Sequence, residues 1–259
     1  LTQSGETADS RVVLTEANKR GIPSLTMTNV EGSTLSREAT YTMLLNAGPE
    51  IAVASTKAYT AQVALQAILA KAVGEKLGDQ AAKDWNLKQG LSLAAEGIQE
   101  IVDGKDKIEE LAKKYLVPSR NAFYIGRGID HAVSLEAALK LKEVSYIQTE
   151  GFAAAELKHG TISLIEDGTP VIALIDDPLT ADLTRGNIQE VASRGANVIT
   201  IVGKQFAKEG DNIVLPEIDY YLSALLSVVP TQLLAYFASK NKGLDVDKPR
   251  NLAKSVTVE

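Results

Sequence analysis

The sequence predicts an α/β fold built as two similar halves, each a parallel sheet flanked by helices. Three observations point there. Strand-like and helix-like segments alternate at βαβ spacing through the second half of the chain. One stretch of the first half recurs by pattern in the second. Hydrophobic residues make up 45% of the 259 residues, enough to bury the core such sheets need.

A first helix is predicted over 7–20, with Val12, Val13, Leu14 and Ala17 as its apolar face and Gly21 as its stop. Strands follow at 24–30 and 41–46. A long helix runs from Ser55 to Leu77, ended by Gly78. Residues 79–115 read as helix interrupted at Gly90, Gly97 and Gly104, and Pro118 closes this connector. Then come a strand at 121–126, a helix at 130–147, a loop with a short helix to Gly160, and a strand at 170–175. A helix at 180–194, strands at 197–202 and 212–215, and a helix at 219–240 complete the chain.

The repeat is specific. Glu16-Ala-Asn-Lys-Arg-Gly-Ile-Pro-Ser-Leu-Thr-Met-Thr28 matches Glu190-Val-Ala-Ser-Arg-Gly-Ala-Asn-Val-Ile-Thr-Ile-Val202 by pattern: a helix end, Arg-Gly, then a strand. The second half has a strand and helix ahead of this point that the first half lacks. The expectation is a first subdomain at 1–78 that is truncated at its N-terminus, a helical connector at 79–118, a second subdomain at 119–245 and a tail at 246–259.

Composition narrows the function. A net charge of -6 leaves no Lys/Arg excess for nucleic acid. The sequence has no cysteine and only two histidines, His131 and His159, so neither a thiolate nor a multi-histidine metal site is expected, and no cofactor is implied. The apolar stretches 63–70 and 222–238 are broken by Gln66, Ser227, Pro230 and Gln232. No leader-like segment opens the chain, and a soluble, cytoplasmic protein is expected.

Several segments could carry chemistry. Thr2-Gln-Ser-Gly-Glu-Thr7 sets hydroxyls and a glycine just before a helix, where unpaired N–H groups and the helix dipole favour an anion. Hydrogen bonds to a charged partner contribute about 1.5–3 kcal/mol each, so three or four would hold a phosphate monoester without lysine. The competing reading is an ordinary helix cap by Ser4 or Thr7. Ile51-Ala-Val-Ala-Ser-Thr-Lys57 is a second small-residue approach to a helix, where Ser55 could donate to a ligand or simply cap. Glu136, Lys140 and Glu143 share a helix face opposite Val133, Leu135, Ala138, Leu139 and Val144; the charged stripe lines a cleft or meets water. His159 beside Gly160 could present its ring to a ligand, although a lone histidine is more often structural. The tail, read alone, is a frayed terminus.

Taken together, Thr2-Gln-Ser-Gly-Glu-Thr7, Val53-Ala-Ser-Thr-Lys57, Leu139-Lys-Leu-Lys-Glu143, Glu156-Leu-Lys-His159-Gly and Lys248-Pro-Arg-Asn-Leu-Ala-Lys254-Ser-Val-Thr-Val-Glu259 resemble the isomerase domain of the glucosamine-6-phosphate synthases (isomerising glutamine–fructose-6-phosphate amidotransferases). The resemblance runs in order along the whole chain, and its last segment is the most specific. It implies two SIS (sugar-isomerase) subdomains with the flavodoxin-like three-layer sandwich. It implies amination and isomerisation of fructose 6-phosphate to glucosamine 6-phosphate. On this resemblance Thr2, Gln3, Ser4 and Thr7 hold the phosphate, while Val53, Ala54 and Ser55 line the sugar site. Glu143 moves a proton between C1 and C2, and Lys254 forms a Schiff base. His159 assists ring opening from across a homodimer interface, and Lys140 is an accessory proton-transfer group.

Such a lysine must react as the neutral amine, which at a reference pKa of about 10.4 is roughly one molecule in 2,500 at pH 7. Desolvation or a nearby cation, Arg250 for example, is therefore expected around Lys254, with the tail folded over the site. The family's glutaminase domain, with its cysteine nucleophile, is absent from this sequence, so glutamine is not this chain's nitrogen donor. Two alternatives stand beside this reading. One is a non-catalytic SIS module that senses sugar phosphates. The other is a relative acting on sugar amines without a glutaminase.

Overall fold

The computed structural model describes residues 1–255. The chain divides into two compact units, Leu1–Asp84 with Asp247–Glu259, and Trp85–Val246. Residues 79–118, read from sequence as a connector, are thus shared between the units, and the tail belongs with the first.

The first unit holds α1 (Ala8–Lys19), β1 (Leu25–Thr28), α2 (Thr34–Glu38), β2 (Tyr41–Leu44), α3 (Lys57–Leu77) and α4 (Gln80–Asp84). β1 and β2 pair in parallel, from Leu25 opposite Tyr41 to Thr28 opposite Leu44. On the other edge of β1, the Thr2 amide donates to the Met27 carbonyl (3.0 Å) and the Asn29 amide to the Gln3 carbonyl (3.1 Å). The chain's first residues therefore extend the sheet by one short arm before turning into α1. Only Leu14 of α1 is buried; Val12 and Val13 are exposed, against the predicted apolar face. Consecutive helical residues are about 100° apart, so 12, 13 and 14 cannot all face one side. Gly78 ends α3 in the left-handed conformation, as its position predicts.

The second unit begins with α5 (Leu87–Asp103), α6 (Lys105–Leu111) and a π-helical turn at Ala112–Leu116. Gly90 and Gly97 do not interrupt α5. A Cβ on Gly90 would lie 2.7 Å from the Leu222 side chain, and one on Gly97 3.1 Å from that of Leu226, so both glycines permit close packing. Gly104 is a real break.

There follow β3 (Asn121–Gly126), α7 (Ile129–Ser145), β4 (Gln148–Ala153), β5 (Pro170–Ile175), α8 (Ala181–Ala192), β6 (Asn197–Gly203), β7 (Ile213–Leu215) and α9 (Ser223–Asn241). The five strands are parallel, in the order β4-β3-β5-β6-β7. This is a doubly wound sheet, with its switch point at β3. Strand β4 lies where the sequence reading had only a loop. Central β5 is buried along its whole length, as a strand covered on both faces must be. The stretch Tyr220–Asn241 is long and apolar enough to cross a membrane, but 83% of its apolar window is buried inside the unit, which makes it a core helix.

α7 corrects another expectation. Leu135 and Leu139 are exposed, while Val133, Ala137, Ala138, Leu141 and Val144 form the buried face. Leu135 and Leu139 lie one turn apart on the outer side, and Lys140 takes an inner position instead.

The repeat extends to a side-chain clamp. In the first unit the Arg11 guanidinium grips Glu38, with Nη2 to Oε1 at 2.7 Å. In the second, Arg185 grips Asp211 with two 2.7 Å bonds and also donates to the Phe206 carbonyl. Each ties the helix after the central loop to the residues before the sheet's last strand.

Candidate active site

In the first unit the loop before α1 is drawn tight. The Thr2 hydroxyl, buried, accepts from the Gly5 amide (3.1 Å) and pairs with the Thr7 hydroxyl (3.1 Å). The Ser4 hydroxyl accepts from the Glu6 amide (3.2 Å). Gly5 has φ +72, and a Cβ there would fall 1.9 Å from Ser33 Oγ, so a glycine is required. Neither Ser4 nor Thr7 caps the helix; Thr7 makes no side-chain capping bond. The competing cap reading therefore has no geometric support. A groove of about 530 Å³ runs along α1 past Arg11, Thr15 and Lys19, but it meets this loop only at Glu6 and lacks the hydroxyl cluster.

The segment before α3 is organised by Glu50, which the sequence reading did not single out. Its Oε1 accepts from the amides of Thr56 (2.7 Å) and Ala58 (3.3 Å), so it caps α3 from six residues upstream. Its Oε2 accepts from the Ser55 hydroxyl (3.2 Å) and from Lys254 Nζ (3.1 Å). The Ser55 hydroxyl hydrogen is thus directed at Glu50, which leaves the oxygen's lone pairs free to accept. Lys254 Nζ also donates to the Ala52 carbonyl (2.7 Å), and the Val53 amide donates to the Asp247 carbonyl (2.9 Å). These bonds anchor the tail on the 50–56 loop. Residues 256–259, the end of the closing motif, lie outside the described residues. Lys254 thus pairs with a carboxylate, where the sequence pointed to desolvation or a nearby cation.

Burial raises the Glu50 carboxyl's pKa, but the Thr56 amide, Lys254 and the Ala58 amide outweigh it and hold the group below the usual carboxylate range. Glu50 is therefore ionised at neutral pH.

In the second unit, Lys140 and Glu143 form an ion pair at 2.7 Å, with Glu136 at 3.5 Å on the other side of the amine. The Lys140 side chain is only 6% exposed, so this stripe is not a solvated face. Burial pushes the Glu136 carboxyl up, against the pull of Lys140. His159 ends a 3₁₀ turn (Leu157–His159) and is exposed.

The repeat sets Asp176 and Asp177 where the first unit has Thr2 and Gln3. Asp130 Oδ2 accepts from both their amides, at 2.8 and 3.2 Å. Burial, reinforced by the charges of Asp130 and Asp177, pushes Asp176 up to about 7. Burial likewise raises Asp130 to about 6, the two amides opposing it. Three buried carboxyls make this loop hostile to phosphate. Among the described residues no group of His, Cys, Asp and Glu has the arrangement of a metal site.

Comparison with known proteins agrees with this architecture. The SIS domain family model matches residues 1–72 and 115–239. The chain is 67% identical over 259 residues to the isomerizing glutamine–fructose-6-phosphate aminotransferase of Lactiplantibacillus plantarum, covering 100% of this chain and 43% of that protein. It is 66% identical over 260 residues to the enzyme of that name from Streptococcus agalactiae serotype V, with the same coverage. The C-terminal domain of glucosamine-fructose-6-phosphate aminotransferase from Francisella tularensis superposes with a TM-score of 0.87 at 33% identity, over 95% of this chain and 71% of that one. The chain belongs to the SIS-domain family, on the branch of the isomerizing glutamine–fructose-6-phosphate aminotransferases. It spans about 43% of the length of the curated relatives it matches.

Proposed function

We propose that this chain binds fructose 6-phosphate and performs the isomerisation half of glucosamine 6-phosphate synthesis. The observation that carries the reading is the position of Lys254, bonded to the Glu50 carboxylate that also accepts from the Ser55 hydroxyl, on the loop assigned to the sugar.

The roles follow from the residue types. Thr2, Gln3, Ser4 and Thr7, with the N-terminus of α1, hold the phosphate. Val53, Ala54 and Ser55 line the sugar, Ser55 accepting from a hydroxyl. His159, supplied across a homodimer interface, assists ring opening. The neutral Lys254 amine attacks C2 of the open-chain ketose. An N–C bond forms, one proton is taken up, and the carbonyl oxygen departs as water, leaving a cationic imine. Ammonia displaces the lysine and takes its place on C2. Glu143 then removes a proton from C1 and returns one to C2, and the C1 hydroxyl proton leaves as C1 becomes the aldehyde carbon. Lys140 pairs with the Glu143 carboxylate before it takes the C1 proton and again after a proton is returned to C2. In the whole protein a glutaminase domain supplies the ammonia, and the compartment is the cytoplasm.

Trapping with borohydride in the presence of fructose 6-phosphate, followed by peptide mass spectrometry, tests this. A sugar adduct on Lys254, lost in Lys254→Ala, is the expected result. Sugar-phosphate binding by the folded protein with no adduct would favour the sensing module instead.

A further inference from the structure

We infer that Glu50 is a positioning residue for the sugar reaction: it fixes Lys254 and Ser55 in one frame and is the counter-ion of the cation that Lys254 becomes. The inference rests on the role of Lys254 proposed above and extends it to a residue outside that scheme.

The geometry is that of a hub. A carboxylate has two oxygens and about four acceptor sites. Glu50 uses them on Ser55, Thr56 and Ala58 of the following segment and on Lys254 of the tail, while its side chain is only 3% exposed. A charge so buried is tolerated only when it is paired and fully hydrogen-bonded. Here the N-terminus of the 21-residue α3 and one ammonium provide that. Helix capping alone would need only Oε1. Oε2 is given to the two side chains assigned to the sugar.

The consequence concerns nitrogen. Lys254 Nζ donates to Glu50 Oε2 (3.1 Å) and to the Ala52 carbonyl (2.7 Å). Two acceptors fix two of the three N–H directions of the ammonium. When the third proton leaves, the lone pair points along the one remaining tetrahedral direction, ready for a carbonyl carbon. On condensation the nitrogen keeps one hydrogen and regains a positive charge. Glu50 thus faces a cation both before and after the amine attacks, and the neutral amine between them is the stage it disfavours. It slows the release of the proton and stabilises the imine that follows.

The test separates this from capping and from the sugar assignment. Without sugar, each lysine is labelled by formaldehyde and cyanoborohydride across pH, and the other lysines of the same digest serve as internal standards. Removing a negative neighbour disfavours the ammonium, so in Glu50→Gln Lys254 is labelled more readily than in wild type, relative to the other lysines at the same pH. Gln keeps an acceptor for the Thr56 amide, so α3 stays capped. In Glu50→Asp the charge remains but draws back, and the labelling changes in the same direction by less. With fructose 6-phosphate and borohydride, Glu50→Gln forms about tenfold less Lys254 adduct at saturation, while inorganic phosphate still competes at the wild-type concentration.

Labelling curves that superimpose for wild type and both variants would overturn the proposal. Should Glu50→Gln not fold, an unmoved Lys254 curve in Glu50→Asp would do the same. If wild type gave the shifted labelling but no sugar adduct, the fault would lie in the role given to Lys254, and its coupling to Glu50 would stand.

Discussion

Replacing Asp176 with Asn should stabilise the second unit, and increasingly so as pH rises. Asp176 is 4% exposed and titrates near 7 in the folded protein, against an ordinary 3.8. A folded-state pKa above the unfolded one means that the native state holds the proton more tightly. Stability is then highest below pH 4 and falls as pH rises towards 7. For a single site, the cost of ionisation relative to that limit is about 2 kcal/mol at pH 5 and about 4 kcal/mol at pH 8, from roughly 1.4 kcal/mol per unit. The gap between variant and wild type should therefore widen by about 2–3 kcal/mol from pH 5 to pH 8. Using a difference between two pH values cancels any packing change, since Asn and Asp have nearly the same shape. Urea unfolding followed by the fluorescence of Trp85, the only tryptophan and a member of this unit, reads the effect. A gap independent of pH would show that Asp176 does not titrate in this range, and would refute the burial argument for its raised pKa.

The remaining expectations can be taken together. Asp211→Asn breaks the two-pronged grip of Arg185 and should cost about 2 kcal/mol at pH 7. Burial would raise Asp211, but Arg185 and the Lys208 amide hold it below the usual range, so its contribution is present above the ordinary carboxylate pKa and is lost as pH falls through the lowered one. Urea midpoints should differ between variant and wild type more at pH 7 than at pH 3. Gly5→Ala forces a Cβ into Ser33 in a left-handed conformation and should cost about 2 kcal/mol or more. Hydrogen exchange should accelerate at the Thr2, Asn29 and Leu35 amides, which donate across this loop, and phosphate affinity should fall at least tenfold.

Much of the scaffold was legible because it rests on periodicity and glycine punctuation. The strands at 121–126, 170–175 and 197–203, the stop at Gly78 and the Arg-Gly repeat all carry local signals. Strand β4 does not: Gln148-Thr-Glu-Gly-Phe-Ala153 contains few strand formers, and Gly151 is there because the backbone of Ser134 passes beside it. Gly90 and Gly97 misled for the same reason, since their cause is a leucine more than a hundred residues away. The loop at Thr2–Thr7 could be found from its hydroxyls and its place before a helix. Glu50 could not, because Gly48-Pro-Glu50 has no period and its partner Lys254 is 204 residues distant. The burial of Lys140 was equally hidden, because a charged stripe on a helix looks the same whether it meets water or carboxylates.

The duplicated clamp, Arg11 with Glu38 and Arg185 with Asp211, shows what the two halves share: each carries its own brace from helix to sheet. Between those braces the halves differ. A threonine in one faces an aspartate in the other at the same turn, and that exchange alone inverts the sign of the local field. A phosphate of the kind proposed for the first loop would meet three buried carboxyls in the second, and Asp176→Thr would ask how much of that barrier one of them supplies.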